Sequence, residues 1–205
     1  MQKCLFFNLL TDSQNSISDW LNERPKEAKP LNIQVEKFNV SEKIDDKMEK
    51  MSETCDILFV DFPGESLSSK LTKSGLAYSD LCIVPIRPSD KAIRAFENNL
   101  LPIIEQVNEL REGKDYIYLL PTFAHPNANK ETYRGIFKSY EEYINICQNV
   151  HVDRNIYTYF SSGGLTLKEY YDTITTNKKE AQTVKKAISE VDKIAKEILQ
   201  LIQKL

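Results

Sequence analysis

Cys55-Asp56-Ile57-Leu58-Phe59-Val60-Asp61-Phe62-Pro63-Gly64-Glu65 is the stretch on which the fold reading turns. Four apolar residues in succession read as a short strand covered on both faces, and Asp61 then falls at its carboxyl-terminal tip. Open α/β sheets bind ligands at that end of their strands. A carboxylate there is a candidate magnesium ligand, because a hard divalent cation takes oxygen donors. The same residue type is also common in loops and caps, so Asp61 alone decides nothing.

Working outward, Cys4 to Leu10 and Leu81 to Ile86 are two more apolar runs of the buried-strand kind, and Tyr116 to Leu120 is an aromatic-rich one that stops at Pro121. Ile33 to Phe38 is a weaker strand expected near a sheet edge. Helical patterning fills the intervals: Ser16 to Glu23, Ser41 to Met51, Ser66 to Tyr78 and Ser89 to Leu110, several opening on a Ser or Asp cap. Strands alternating with helices predict parallel pairing through crossover units, hence an α/β fold with a mostly parallel twisted sheet flanked by helices. Tyr133 to Gln148 reads as a further helix and Asn155 to Phe160 as a last short strand. Val184, Ile188, Val191, Ala195, Ile198, Ile202 and Leu205, three or four residues apart, predict a long C-terminal helix.

The chain has 205 residues, enough for one α/β domain with a real core, and residues 1–205 are expected to form it. The net charge of -3 excludes a molecule whose whole surface is a nucleic-acid footprint, so any DNA contact must come from clustered lysines. Four cysteines without a CxxC pair read as small buried hydrophobes in a reducing compartment, not as a disulfide frame or zinc site. The opening residues lack a small-residue cleavage site, and no stretch approaches the roughly 20 apolar residues of a membrane span. The expectation is a soluble, cytoplasmic protein.

Beyond Asp61 comes Tyr78-Ser79-Asp80-Leu81-Cys82-Ile83-Val84-Pro85-Ile86-Arg87-Pro88-Ser89, and before it Asp12-Ser13-Gln14-Asn15-Ser16-Ile17-Ser18-Asp19-Trp20-Leu21. Taken in order, these blocks resemble the ParA/MinD family of partitioning ATPases: a switch segment of the form Asp-x-Asp-Pro-Gln-x-Ser, a Walker B strand ending in Asp-x-Pro-Gly, and a strand ending in Pro-x-x-Pro-Ser. The resemblance covers roughly residues 4 to 125. It implies a P-loop NTPase-like fold, with Asp61 serving magnesium, Asp12 and Gln14 positioning the metal or attacking water, and Pro63, Gly64, Pro88 and Ser89 lining a site for ATP or ADP. It also implies a face-to-face homodimer, a ParB-like adaptor as partner, and DNA binding without sequence preference.

The departures are as informative. The family's first strand leads into Lys-Gly-Gly-x-Gly-Lys-Thr, whose backbone N–H groups cradle phosphate. Here the six glycines, Gly64, Gly75, Gly113, Gly135, Gly163 and Gly164, include no such loop. Leu10 replaces the switch segment's first aspartate and Ser13 its proline. Three accounts stay open: a member shortened at its amino end, a natural pseudo-ATPase, or a chain whose Met1 to Asn8 is the first strand with the loop eroded into Leu9 to Asn15. Two functions follow, a degenerate ParA-like partition or plasmid-maintenance protein acting through protein and DNA binding, and a magnesium-dependent ATPase completed by another chain or an upstream segment.

The remaining candidates have plainer readings. Lys178, Lys179, Lys185, Lys186, Lys193, Lys196 and Lys204, interspersed with Glu180, Glu190, Asp192 and Glu197, read as a solvated helix face rather than a DNA-binding stripe. His125 and His151 read as loop or surface histidines, Tyr157 to Phe160 and Tyr170-Tyr171 as core or interface aromatics, and Ser161 to Leu165 as a turn. Thr122 to Asn127 follows a strand where family members contact the nucleotide base, and a plain loop fits equally well.

Overall fold

The computed structural model describes residues 4–8, 16–31, 33–37, 44–62, 69–157 and 163–204. They form an α/β structure whose sheets are parallel and whose last helix is long. Two compact units are distinguishable, the first drawn from Met1–Tyr78 and Tyr159–Thr166, the second from Ser79–Thr158 and Leu167–Leu205.

Unit 1 holds β1 (Cys4–Asn8), α1 (Ser16–Asn22), β2 (Ile33–Lys37), α2 (Ile44–Ser52), β3 (Ile57–Asp61) and α3 (Ser69–Tyr78). Its sheet has the order β2-β1-β3, all parallel, with Asn8 opposite Asp61. β2 is an edge strand, as its weaker pattern predicts. β1 occupies the middle of this sheet. β3 departs from the both-faces-buried expectation: it lies at the other edge of this three-stranded sheet and leaves Phe59 38 % exposed. Its other face packs, since Leu58, Val60 and Phe62 close over Met48 and Met51 of α2. A side chain at Gly75 of α3 would collide with the Phe62 ring, so glycine there lets the ring seat against the helix.

A second contact closes unit 1 from the far end of the chain. Trp20 Nε1 donates to the Leu165 carbonyl at 3.3 Å, Arg24 Nη1 donates to the Gly164 carbonyl at 2.9 Å, and the Arg24 guanidinium lies 5.6 Å from the Trp20 ring centre. Gly164 has φ +63, and a Cβ on it would stand 2.6 Å from Arg24 Cα. Gly164 and Leu165, within the segment expected to be a turn, thus strap the end of α1 in a way that only glycine at 164 permits.

Unit 2 holds β4 (Cys82–Ile86), α4 (Asp90–Ala95), α5 (Leu101–Leu110), β5 (Ile117–Pro121), α6 (Lys130–Gly135), β6 (Asn145–Ile146), α7 (Leu167–Thr173) and α8 (Lys178–Ile202). Its sheet is parallel in the order β4-β5-β6. β5 is central, with Ile117, Leu119 and Pro121 buried. Between α4 and α5, Phe96–Leu100 widens into a π-helical turn in which the Leu101 N–H bonds the Phe96 carbonyl. Pro102 explains it: its missing N–H and bulky ring disrupt the regular ladder one turn back, and the wider turn absorbs the mismatch.

Two sequence expectations fail in this unit. Tyr133 to Gln148 is not one helix: α6 ends at Gly135, a 3-10 turn spans Lys138–Tyr140, and Asn145–Ile146 pairs with β5. The outer edge of β5 needs backbone partners, and Asn145 strengthens the join by donating its amide to the Lys114 and Ile117 carbonyls at 2.8 and 3.3 Å. Asn155 to Phe160 is not a strand over its described part, where Ile156 and Tyr157 are helical and pack with Val184 and Ala187 of α8; residues 158–160 lie outside the described ones.

α8 is the long C-terminal helix expected, capped by Asn177, whose side chain accepts the Glu180 N–H. Its buried stripe runs through Val184, Ala187 and the half-buried Val191, Ile194 and Ile198, while Ala195 is exposed and falls off the predicted seam. Among the described residues no helix is long and apolar enough to cross a membrane.

Candidate functional site

β3 ends on Asp61, level with Asn8 of β1, so the carboxylate stands at the carboxyl-terminal edge of the unit 1 sheet. The side chain is exposed, yet the surrounding protein removes enough water to raise its pKa above the usual carboxylate value. The cause is loss of water on burial, which disfavours the charged form. Among the described residues no three acidic, histidine or cysteine side chains gather into a metal site. Asp12, Gln14, Pro63 and Gly64 lie outside the described residues.

Pro88 and Ser89 belong to unit 2, just past β4. Ser89 is occupied as the N-cap of α4, its hydroxyl accepting the Ala92 N–H at 3.4 Å. Pro88 is half-buried beside it.

The carboxyl-terminal ends of β4, β5 and β6 also gather side chains that the sequence reading did not connect. Arg87 follows β4, and its guanidinium lies 5.3 Å from the Phe123 ring centre. Phe123 follows β5 and meets the His151 ring edge-on at 6.1 Å, and His151 stacks on Tyr157 at 5.0 Å. His151 lies in a loop, as expected, and is half-buried; burial lowers its pKa below the ordinary histidine value, against the opposing pull of Asp153 and Glu190. His125 is exposed in its loop as expected. Phe123 has φ 58, a left-handed backbone rare outside glycine and asparagine. Thr122 to Asn127 is a loop with a left-handed residue at Phe123, and its sequence carries no glycine or asparagine at that position to betray the turn.

α8 carries the second concentration of functional groups. Lys178, Lys179, Lys185, Lys186, Lys193 and Lys196, with Lys204 just beyond, are all exposed. At about 100° per residue they fall within one arc of about 120°. The acidic residues supposed to alternate with them are half-buried and engaged elsewhere. Glu190 holds Arg154 in a bidentate pair at 2.7 and 2.8 Å, Glu197 accepts the Asn149 backbone N–H at 2.9 Å, Glu180 accepts the Tyr170 hydroxyl at 2.5 Å, and Asp192 faces Lys168 at 3.2 Å. The helix face read from the sequence as solvated is exposed at each of these lysines, while Glu180, Glu190 and Glu197 are bonded to Tyr170, Arg154 and Asn149 of unit 2. A linear pattern shows which charges share a helix; it does not show which of them the tertiary fold consumes.

No protein-family model matches this chain, and no curated protein matches it.

Proposed function

We propose that this chain is a ParA-like partition or maintenance protein, a degenerate relative of the P-loop NTPase-like ATPases that works in the cytoplasm through protein and DNA binding. The observation that carries the proposal is the outer face of α8, whose lysines are exposed while Glu190 and Glu197 are bonded to Arg154 and Asn149 within unit 2. A helix of 25 residues is roughly 37 Å long, enough to follow a duplex for about one turn of phosphates. The three ordered sequence blocks and Asp61 at the end of a parallel strand support the family reading. A homodimer and a ParB-like adaptor belong to the same proposal.

The test is fluorescence anisotropy with a duplex of arbitrary sequence at two salt concentrations. Several phosphate contacts predict a steep fall in affinity with salt, each lost lysine reducing the log–log slope by about 0.9. Replacing Lys185, Lys186, Lys193 and Lys196 with glutamate should abolish binding without lowering the melting temperature. Salt-independent binding, or binding by the tetra-glutamate variant, refutes the reading.

One observation favours the second reading, a magnesium-dependent ATPase whose site is completed by another chain. Asp61 is a partly desolvated carboxylate at the end of a parallel strand, and a bound magnesium ion would offset that desolvation. ATP or ADP would then need its phosphate cradle from the partner. Calorimetry with magnesium and ATP decides it: no heat and no shift in melting temperature leave this reading without support.

A further inference from the structure

The row Arg87, Phe123, His151 and Tyr157 takes one member from beyond each of three neighbouring strands and then a backing ring. Its inner end is covered, whereas Phe123 is 47 % exposed and Arg87 is exposed at the outer end. Among the described residues Arg87 makes no ion pair. Phe123 is held in its costly backbone conformation from several directions. The Tyr133 hydroxyl donates to its carbonyl at 3.2 Å, the Thr122 N–H donates to the Ile86 carbonyl at 2.9 Å, and the Ala124 N–H donates to the His151 carbonyl at 3.0 Å. Strain maintained in this way concentrates at ligand clamps and other functional sites.

From this geometry we infer that the carboxyl end of the β4-β5-β6 sheet is a docking site for an acidic peptide of a partner protein, with an Asp or Glu carboxylate received by Arg87 and an apolar neighbour laid on Phe123. A guanidinium resting on a ring keeps its N–H edges outward, in the fork that matches a carboxylate. Because the guanidinium already lies 5.3 Å from the ring centre, less side-chain freedom is lost on binding. Arginine and aromatic anchors are also the groups that dominate protein interfaces. Charge sets the ligand class. The following helix opens with Asp90 and Lys91, which offset one another, so Arg87 offers one positive charge, suited to a carboxylate more than to a phosphate dianion. Exposure sets the source. A small free acid requires a pocket that encloses most of its surface, and an open ladder suits a segment carried by a larger partner.

The experiment uses the full chain and a fluorescein-labelled, end-capped pentapeptide of alternating aspartate and leucine, beside the same peptide with asparagine for aspartate. The acidic peptide should bind with a dissociation constant of roughly 0.1 mM at low salt and the neutral one at least ten times more weakly. Arg87→Gln should weaken the acidic peptide tenfold or more, and Arg87→Lys should restore only part, because a point charge lacks the fork. Phe123→Gly is the second variant: it relieves the left-handed strain, so its melting temperature should hold while binding is lost. Equal binding of the two peptides, unchanged binding by Arg87→Gln, or no binding of the acidic peptide below about 5 mM would overturn the inference. Displacement of the peptide by an equal concentration of inorganic phosphate would overturn it as well.

Discussion

Gly164→Ala is the sharpest perturbation this fold offers, because one added methyl meets two independent obstacles. The backbone at φ +63 costs any non-glycine residue about 1 kcal/mol. The new Cβ would also stand 2.6 Å from both Arg24 Cα and the Glu23 carbonyl carbon, backbone atoms that no rotamer change can move aside. Ordinary contact needs close to another ångström, so the strap must lift. Lifting strains the Arg24–Gly164 and Trp20–Leu165 hydrogen bonds, each worth about 1 kcal/mol. The expected loss is about 2–3 kcal/mol, a large share of a typical domain's stability. Trp20 is the sole tryptophan, so its emission reads the event directly. The variant should show red-shifted emission and an unfolding midpoint lowered by roughly 6 °C. Gly163→Ala is the matched control, with nothing within 4 Å of its added Cβ and no left-handed φ, and should behave as the parent does. If the two variants melt together, or if Gly164→Ala leaves the emission unchanged, the strap is not what holds α1.

Other consequences can be measured on the same material. His151 has a folded pKa below its unfolded value, so the folded state resists taking up its proton: stability should fall as pH drops from about 6.5 toward the folded pKa, and His151→Phe should flatten that slope in denaturant titrations at several pH values. Burial works to raise Glu190, but the Arg154 hydrogen bonds and charge hold its pKa below normal, so this pair stabilises above the unfolded carboxylate value and weakens below it. Arg154→Ala, which strands Glu190, should cost about 3 kcal/mol, whereas the double change Arg154→Met with Glu190→Leu should cost clearly less by chemical denaturation. Burial pushes the Cys147 thiol to about 12 and the Cys82 thiol to about 11, so both should resist Ellman's reagent at pH 8 until denaturant is added.

Local chemistry was the legible part of the sequence. Runs such as Ile57 to Val60 and Leu81 to Ile86 name their strands because a short apolar run bounded by polar residues has few other uses, and the parallel pairing follows from the helices between them. The failures are long-range. Nothing within Tyr133 to Gln148 states that β5 lacks a partner until Asn145 and Ile146 supply one, so its helical spacing was misleading. The sheet edge at β3 was likewise invisible to a pattern that records burial but not neighbours. At the candidate sites, Asp61 stands at the strand end where its motif placed it, while the row from Arg87 to Tyr157 joins residues from four separate segments and has no linear signature. The lysines of α8 were legible as a group; the removal of their acidic neighbours by Arg154, Asn149, Tyr170 and Lys168 was not.

The strap has a consequence for how the molecule is made. Unit 1 begins with β1 but takes its closing piece from Tyr159–Thr166, after most of unit 2 has been translated. A ribosome therefore releases a first unit whose Trp20 and Arg24 must wait through some 140 residues for their carbonyl acceptors. Folding cannot run strictly from the amino end, and a chain terminated ahead of residue 159 would leave the earlier unit unfinished, not merely separated from the later one.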